Sequence, residues 1–489
     1  MTQPHTLDQL QKHYGRRYRW LLLLSVMVGT MASIMSSTII NVAVPDMSHF
    51  FGLGQDRLQW VSSGFMLAMT ASMLSTPWWL ARFGYRKTYA GAVWLLLIGG
   101  VAGGLTSNFE LVLLARVVEG LASGVLQPIP AIIIVRAFGA DEQGRAGGIF
   151  GMGVVLAPAI GPSIGGLLVE WFGWRSTFFM VVPFCVAAIF LAARFVPSVI
   201  ATSEAQDGEK ATLDWRGLLL VLISTVALLN GLGSLQNGVN VQAMLLLACS
   251  ALALWQFVRL QRRLSHTHRG GHQRMPLMNM VLFHHRKFAM GSIVSFIYGA
   301  ALFGSTYLLP VYLQMGLGLS AAHVGTLLLP AGLALAITIP LGGRLADRYP
   351  THLLVTVGLI LLSASFALMV TVGLETAMWM VVLWVVAGRI GLGFILPSLN
   401  RGSLVGLGKN LLPQGSSSIN FARMVGGAVG VRLCAMALDW RLAAHGETLT
   451  HPGTSPGRLL AFNESFLLLA ATCALAIFAA WNLRDGDRR

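Results

Sequence analysis

Apolar residues in this chain gather into runs of about 20, separated by short stretches in which Lys, Arg, Gly and Pro concentrate. A run of that length crosses a ~30 Å hydrocarbon core at 1.5 Å rise per residue, so each reads as a membrane-spanning helix. Fourteen such windows lie at 20–44, 58–80, 88–106, 109–135, 146–168, 176–196, 215–235, 241–261, 288–315, 322–346, 352–373, 375–400, 415–440 and 460–482. The expected fold class is all-α integral membrane. The first window follows Lys12, Arg16, Arg17 and Arg19, but its length and the lack of a clear cleavage site make it an uncleaved span rather than a signal peptide.

Composition agrees with this pattern. Of 489 residues, 55% are apolar and only 11% charged, with a mean hydropathy of +0.69, which excludes a soluble multidomain chain and a disordered one. The four cysteines fall in apolar runs and read as reduced packing residues, not a disulfide scaffold. The net charge of +15 has no solvated basic domain to carry it, so it points to no nucleic acid. Placing the N-terminus in the cytoplasm puts 26 of the 34 Lys and Arg residues on the inner side and only Arg57, Arg175, Arg441 and Arg458 outside. Positive residues are retained on the cytoplasmic side, so both termini are expected there.

Two polar segments, an acidic one at 198–213 and a basic one at 259–287, flank the seventh and eighth windows. The expected organisation is therefore an N-terminal six-helix bundle (1–197), an inserted helix pair with its linkers (198–287) and a C-terminal six-helix bundle (288–489). Internal similarity supports a duplication. The segment from Pro77 through Ala81, Arg82, Arg86 and Lys87 in the first half matches Gly343, Arg344, Asp347 and Arg348 in the second, and Arg116 four residues before Gly120 matches Arg389 four residues before Gly393. Two parallel repeats around a central site are the build of a secondary transporter with alternating access.

At these residues the sequence resembles the major facilitator superfamily, and within it the fourteen-helix drug/proton antiporters of the EmrB/QacA type. Ser37–Pro45 is similar to that family's first-helix pattern, Gly148 with Gly161, Pro162, Gly165 and Gly166 to its fifth-helix antiporter motif, Leu309–Gln314 to its ninth-helix pattern and Asn420–Gly427 to that of its thirteenth helix. The resemblance implies two six-helix bundles plus two inserted helices, no cofactor, and export of an amphiphilic small molecule against protons across the lipid bilayer. In a Gram-negative cell it further implies a periplasmic adaptor, with the outer loop at 441–459 as its natural contact. The sequence departs from the family pattern at four places: Ser36 stands where an acid is usual, Pro77 replaces a Gly, Ala81 replaces an Asp and Glu119 replaces a Gln.

A charge at the centre of a spanning helix costs about 2.5–3.5 kcal/mol on insertion scales, so each one demands a partner or a purpose. Arg116, Glu119, Arg389, Arg423 and Arg432 qualify, and Glu119 is the sole deep carboxylate, ~15 Å from the outer end of its helix. Residues three and four apart share a helix face, which makes one polar stripe of Arg116, Glu119, Ser123 and Gln127 and another of Thr30, Ser33, Ser37 and Asn41. Such stripes line a wet cavity or pack inside the bundle. Two readings of Glu119 stand side by side, a proton carrier and a structural counter-ion for Arg116. Arg423, on a face with Asn420 and Ser416, and Arg389 are open between structure and substrate contact, whereas Arg432 reads as structural.

The glycines of the fifth helix point to gating, those at 99, 100, 103 and 104 to packing alone, and Asp347 with Arg344 and Arg348 to a charge-paired lock whose first-half counterpart lost its acid at Ala81. His266, His268, His272, His284 and His285 fit no compact metal site. No phosphate-binding loop or paired carboxylates mark a pump or an enzyme. The alternatives to multidrug export are a carrier dedicated to one metabolite, such as an aromatic acid or siderophore, and a transport-dead receptor or scaffold. With positive charges dominating the deep positions, neutral or weakly acidic amphiphiles are the expected substrates.

Overall fold

The computed structural model describes residues 6–198, 212–236, 238–266, 274–373, 375–408, 410–448 and 455–484. Much of the acidic segment, His268 and His272 lie outside them. A short amphipathic helix, α1 (Leu7–Tyr14), opens with Thr6 and Gln9 capping each other's backbone amides. The first bundle then comprises α2 (Tyr18–Phe51), α3 (Gln55–Met73), α4 (Thr76–Leu105), α5 (Phe109–Ala137), α6 (Gln143–Phe172) and α7 (Ser176–Phe195). The inserted pair is α8 (Trp215–Leu235) and α9 (Val241–His266). The second bundle comprises α10 (Arg286–Gly316), α11 (Ala321–Arg348), α12 (Thr351–Met369), α13 (Met378–Leu404), α14 (Leu412–Ala444) and α15 (Pro456–Trp481).

Among the described residues, 12 helices are long and apolar enough to cross a membrane. The expected spans 58–80 and 146–168 correspond to the other two long helices, α3 and α6. Polar residues such as Arg57, Gln59, Ser62, Ser63 and Thr70 make α3 too hydrophilic to count by composition, and the side chains of 158–163 in α6 lie outside those described.

The boundary of the second window differs from the expectation. The helix breaks at Leu74–Ser75 and restarts at Thr76, where Pro77 occupies the first turn and its fixed φ suits a helix start. The following stretch is not an open loop but helix, kinked once at Gly84 (φ 74°). Any side chain there would meet the Ser198 carbonyl, 2.3 Å from the Cβ position, while Tyr85 N donates to that same oxygen at 3.2 Å.

The halves meet where α6 packs on α11. Glycine makes this possible: a methyl on Gly343 would sit 2.2 Å from the Gly144 carbonyl oxygen, and one on Gly148 2.9 Å from Pro340 Cα. On the other side of the molecule α3 packs against α14, with α8 of the inserted pair laid over that seam. The pair is tied down by a buried polar knot. Asp214 accepts from Gly217 N at 3.0 Å and from Gln261 Nε2 at 2.7 Å; Gln261 Oε1 accepts from Leu277 N at 2.9 Å and Met278 N at 3.3 Å. Gln414 of α14 donates to the Pro276 carbonyl at 3.1 Å, which joins the knot to the second bundle. Replacing Gln261 by Leu orphans these buried groups at about 1–3 kcal/mol each. A clear fall in the thermal unfolding temperature of the detergent-solubilised protein is the expected result.

Candidate functional site

Helix α5 presents Arg116 and Glu119 one turn apart, and both are fully buried. The guanidinium Nη1 donates to Glu119 Oε2 and, at 2.8 Å, to Ser36 Oγ of α2. Ser36 Oγ in turn donates to the same Oε2 at 3.1 Å. Arg116 Nε donates to the Val61 carbonyl of α3 at 3.1 Å, and the guanidinium carbon lies 4.3 Å from the Phe65 ring centroid. Three helices thus close around one ion pair. The pairing is well placed for a low-dielectric interior, where a charge without a partner is costly.

The two oxygens of Glu119 are unlike. Oε2 is saturated, whereas Oε1 and Arg116 Nη2 find no hydrogen-bond partner among the described residues. Oε1 faces α4, where only glycine leaves space for it. A methyl on Gly100 would stand 3.3 Å from Oε1, and one on Gly99 2.6 Å from Glu119 Cγ. The expectation of packing alone holds at Gly103 and Gly104, which meet the Phe178 and Phe179 rings, and is corrected at Gly99 and Gly100, which form the floor of the carboxylate pocket.

The remaining candidates separate into distinct places. Ser33 and Ser123 are buried with hydroxyls unpartnered among the described residues, Ser37 donates to its own helix at Ile34 O, and Asn41 Oδ1 accepts from Ser62 of α3 at 2.7 Å. Gln127, Asn420 and Arg423 share a small cavity between the halves, nearer the α6–α11 contact. Arg423 Nη2 donates to Asn420 Oδ1, Asn420 Nδ2 to the Ser416 carbonyl at 2.9 Å, and Ser416 Oγ crosses to the Pro128 carbonyl at 2.8 Å. Arg389 sits apart, in a recess of the second bundle with Ser305 and Ser365. Among the described residues no carboxylate pairs with Arg389, Arg423 or Arg432.

Asp347 has different partners from those the sequence suggested. It pairs with neither Arg344 nor Arg348, which is exposed; it accepts from Gly144 N at 2.6 Å and Arg145 N at 2.7 Å, with Arg401 Nη1 3.8 Å away. The first turn of α6 has free amides and a positive dipole end, a better site for a carboxylate than two solvated side chains on its own helix. Arg401 also donates to the Ala140 carbonyl at 2.7 Å, so the contact joins the halves. Arg86 donates to the Val196 carbonyl at 2.6 Å, and Arg82 is exposed. Gly165 brings α6 onto α2, 2.5 Å from Ile39 Cγ1 at its Cβ position; Gly166 stands 3.8 Å from Val42; Gly161 and Pro162 are helical, with side chains outside those described.

Removal of Glu119 by Glu119→Ala strands the Arg116 charge in the interior and should cost about 3–5 kcal/mol of stability. Glu119→Gln keeps an acceptor oxygen for Arg116 and should cost less. Thermal unfolding of the two purified variants side by side checks the order.

The sequence matches the Major Facilitator Superfamily over residues 26–431. It is 28% identical over 471 residues to the Multidrug resistance protein B homolog of Mycobacterium tuberculosis (strain CDC 1551 / Oshkosh), covering 94% of this chain and 85% of that protein. It is 23% identical over 476 residues to the riboflavin transporter RibZ of Clostridioides difficile (strain 630), covering 96% and 99%. Among solved structures, the proton:xylose symporter XylE is similar in fold, with a TM-score of 0.64 over 96% of each chain at 12% identity. The chain is a transporter and not an enzyme, and it belongs to the Major Facilitator Superfamily.

Proposed function

We propose that this protein is a fourteen-span exporter of amphiphilic small molecules, with α3 and α6 counted among the spans, lying in a bacterial plasma membrane with both termini cytoplasmic and driven by inward proton flow. The observation that carries the reading is the buried carboxylate of Glu119, one oxygen held by Arg116 and Ser36 and the other facing the glycine floor of α4 without a partner. Oε1 is the atom that takes the proton. Protonation neutralises the carboxyl and weakens its hold on Arg116; deprotonation restores the pair. Because Arg116 also grips the α3 backbone at Val61 and stacks on Phe65, the change in the pair reaches α3 directly.

Access alternates by parting the α6–α11 contact. In the described conformation that side is shut by the glycine contacts and by Asp347 on the α6 amides. Gln127, Asn420 and Arg423 stand just behind it and become reachable when it opens. The multidrug-resistance relative favours a broad substrate range, whereas the riboflavin-transporter relative favours a single metabolite. In a Gram-negative cell, the outer 441–459 segment is the proposed contact for a periplasmic adaptor.

Adding a chemically diverse substrate panel to everted vesicles while monitoring pH tests the coupling. Glu119→Gln should abolish substrate-dependent proton movement while the protein still reaches the membrane. The double change Ser36→Asp with Glu119→Gln should regain part of it, since Ser36 Oγ lies 3.1 Å from the carboxylate it would replace. Undiminished pH-driven export by Glu119→Gln would reject Glu119 as the proton carrier. For topology, a cysteine at Gly238 should react with impermeant maleimide from outside and one at Gly270 from the cytoplasm; the reverse pattern overturns the map.

A further inference from the structure

Helix α3 has two working faces. Val61, Phe65 and Met69, four residues apart, lie against α5 and hold Arg116 or pack on Gly120 and Gly124. The opposite face, including Trp60, Ser63 and Met66, forms one wall of a cavity of about 340 Å³. The inserted helix α8 supplies the second wall with Thr225, Leu229 and Asn230, and α14 the third with Met424, Ala428 and Arg432. Its size suits a small organic ligand.

The chemistry of the lining is specific. Its walls are mixed, with apolar groups such as Trp60 and Leu229 beside hydroxyls and amides, and among the described residues Arg432 is its one ionisable side chain. Arg432 sits 12 residues before the end of α14, ~18 Å along the helix axis. The nearest acid on the same helix face, Asp439, accepts instead from Gln236, just past the end of α8, at 3.4 Å. An exposed guanidinium at that depth, bordering a mixed apolar and hydroxyl-lined cavity and without a carboxylate partner among the described residues, is satisfied by an anion whose remaining surface is hydrophobic.

We propose that the α3–α8–α14 cavity is the binding site of the exported molecule, that it selects an amphiphilic carboxylate, and that Arg432 receives the carboxylate while Trp60 and Leu229 receive the apolar body. The inference rests on the export reading and sharpens it. It gives the inserted helix pair a role as a wall of the substrate site, and it places ligand and proton carrier on opposite faces of α3, so that each biases the same helix.

Direct binding of radiolabelled 1-naphthoate to the purified protein in lipid nanodiscs tests this, with 1-naphthalenemethanol as the uncharged twin. Arg432→Gln should weaken naphthoate binding by about tenfold or more, the loss expected for a hydrogen bond to a charged group, and leave the alcohol unchanged. Ala428→Trp, which fills the cavity, should weaken both. Binding is read without any gradient, so a failure of coupling at Glu119 does not touch the result. Equal naphthoate affinity in wild type and Arg432→Gln, or no saturable binding by the wild type, overturns the site and leaves export itself standing. A lipid phosphate could offer Arg432 the same anion; naphthoate affinity should be equal in discs of phosphatidylcholine alone and in discs containing phosphatidylglycerol, and its loss in the latter would assign the cavity to lipid.

Discussion

The rest of the first bundle is arranged around the need to neutralise one guanidinium in a medium that tolerates no free charge. Arg116 reaches a carboxylate on its own helix, a hydroxyl on α2, a carbonyl on α3 and the face of an aromatic ring. Those partners lie on three helices, α2, α3 and α5 itself. The α4 backbone has to come close enough to roof the pair, which only glycine at 99 and 100 permits. The second bundle shows the contrast. Its corresponding Arg389 has no acid among the described residues and lies in a mostly apolar recess with the hydroxyls of Ser305 and Ser365.

That difference makes the two halves unequal partners in any cycle. Among the described residues, the ion pair with both partners fully buried lies in the first bundle, and the second bundle is linked to it through the contacts between them. Those contacts include the glycine-mediated approach of α6 to α11 and the seam of α3 with α14 beneath α8. The first shuts one face; the second borders the cavity that holds Arg432. Since α3 also carries the Val61 carbonyl and Phe65, it is the element on which the ion pair and the second bundle both bear.

Much of the architecture was legible in the sequence because apolar run length is a strong signal in lipid. The two arginines four residues before glycine, Arg116 and Arg389, likewise fall on helices at matching places in the order, α5 and α13. What stayed hidden was pairing across distance. Ser36 and Glu119 stood out separately as departures from a pattern, yet 83 residues part them and nothing in either helix says that their oxygens meet. Asp347 was read against its sequence neighbours, since backbone amides have no side-chain signature; its partners turned out to be two such amides some 200 positions away. Gly99 and Gly100 looked like packing residues because the shape they accommodate belongs to another helix. Arg432 looked structural because the cavity beside it exists only once α8 is laid over α3 and α14.

The contact of Asp347 with the start of α6 has one more consequence. Its acceptor atoms meet peptide N–H groups, which every amino acid except proline supplies. Position 144 is also held to glycine by the nearby Gly343 carbonyl–glycine approach, but the Arg145 side chain takes no part in the bond to Asp347. That side chain lies instead over the Trp20 ring, 5.3 Å from its centroid, so its replacement leaves both amides on Asp347, whereas a proline at 145 would lose one of the two while Asp347 and Arg401 stayed in place.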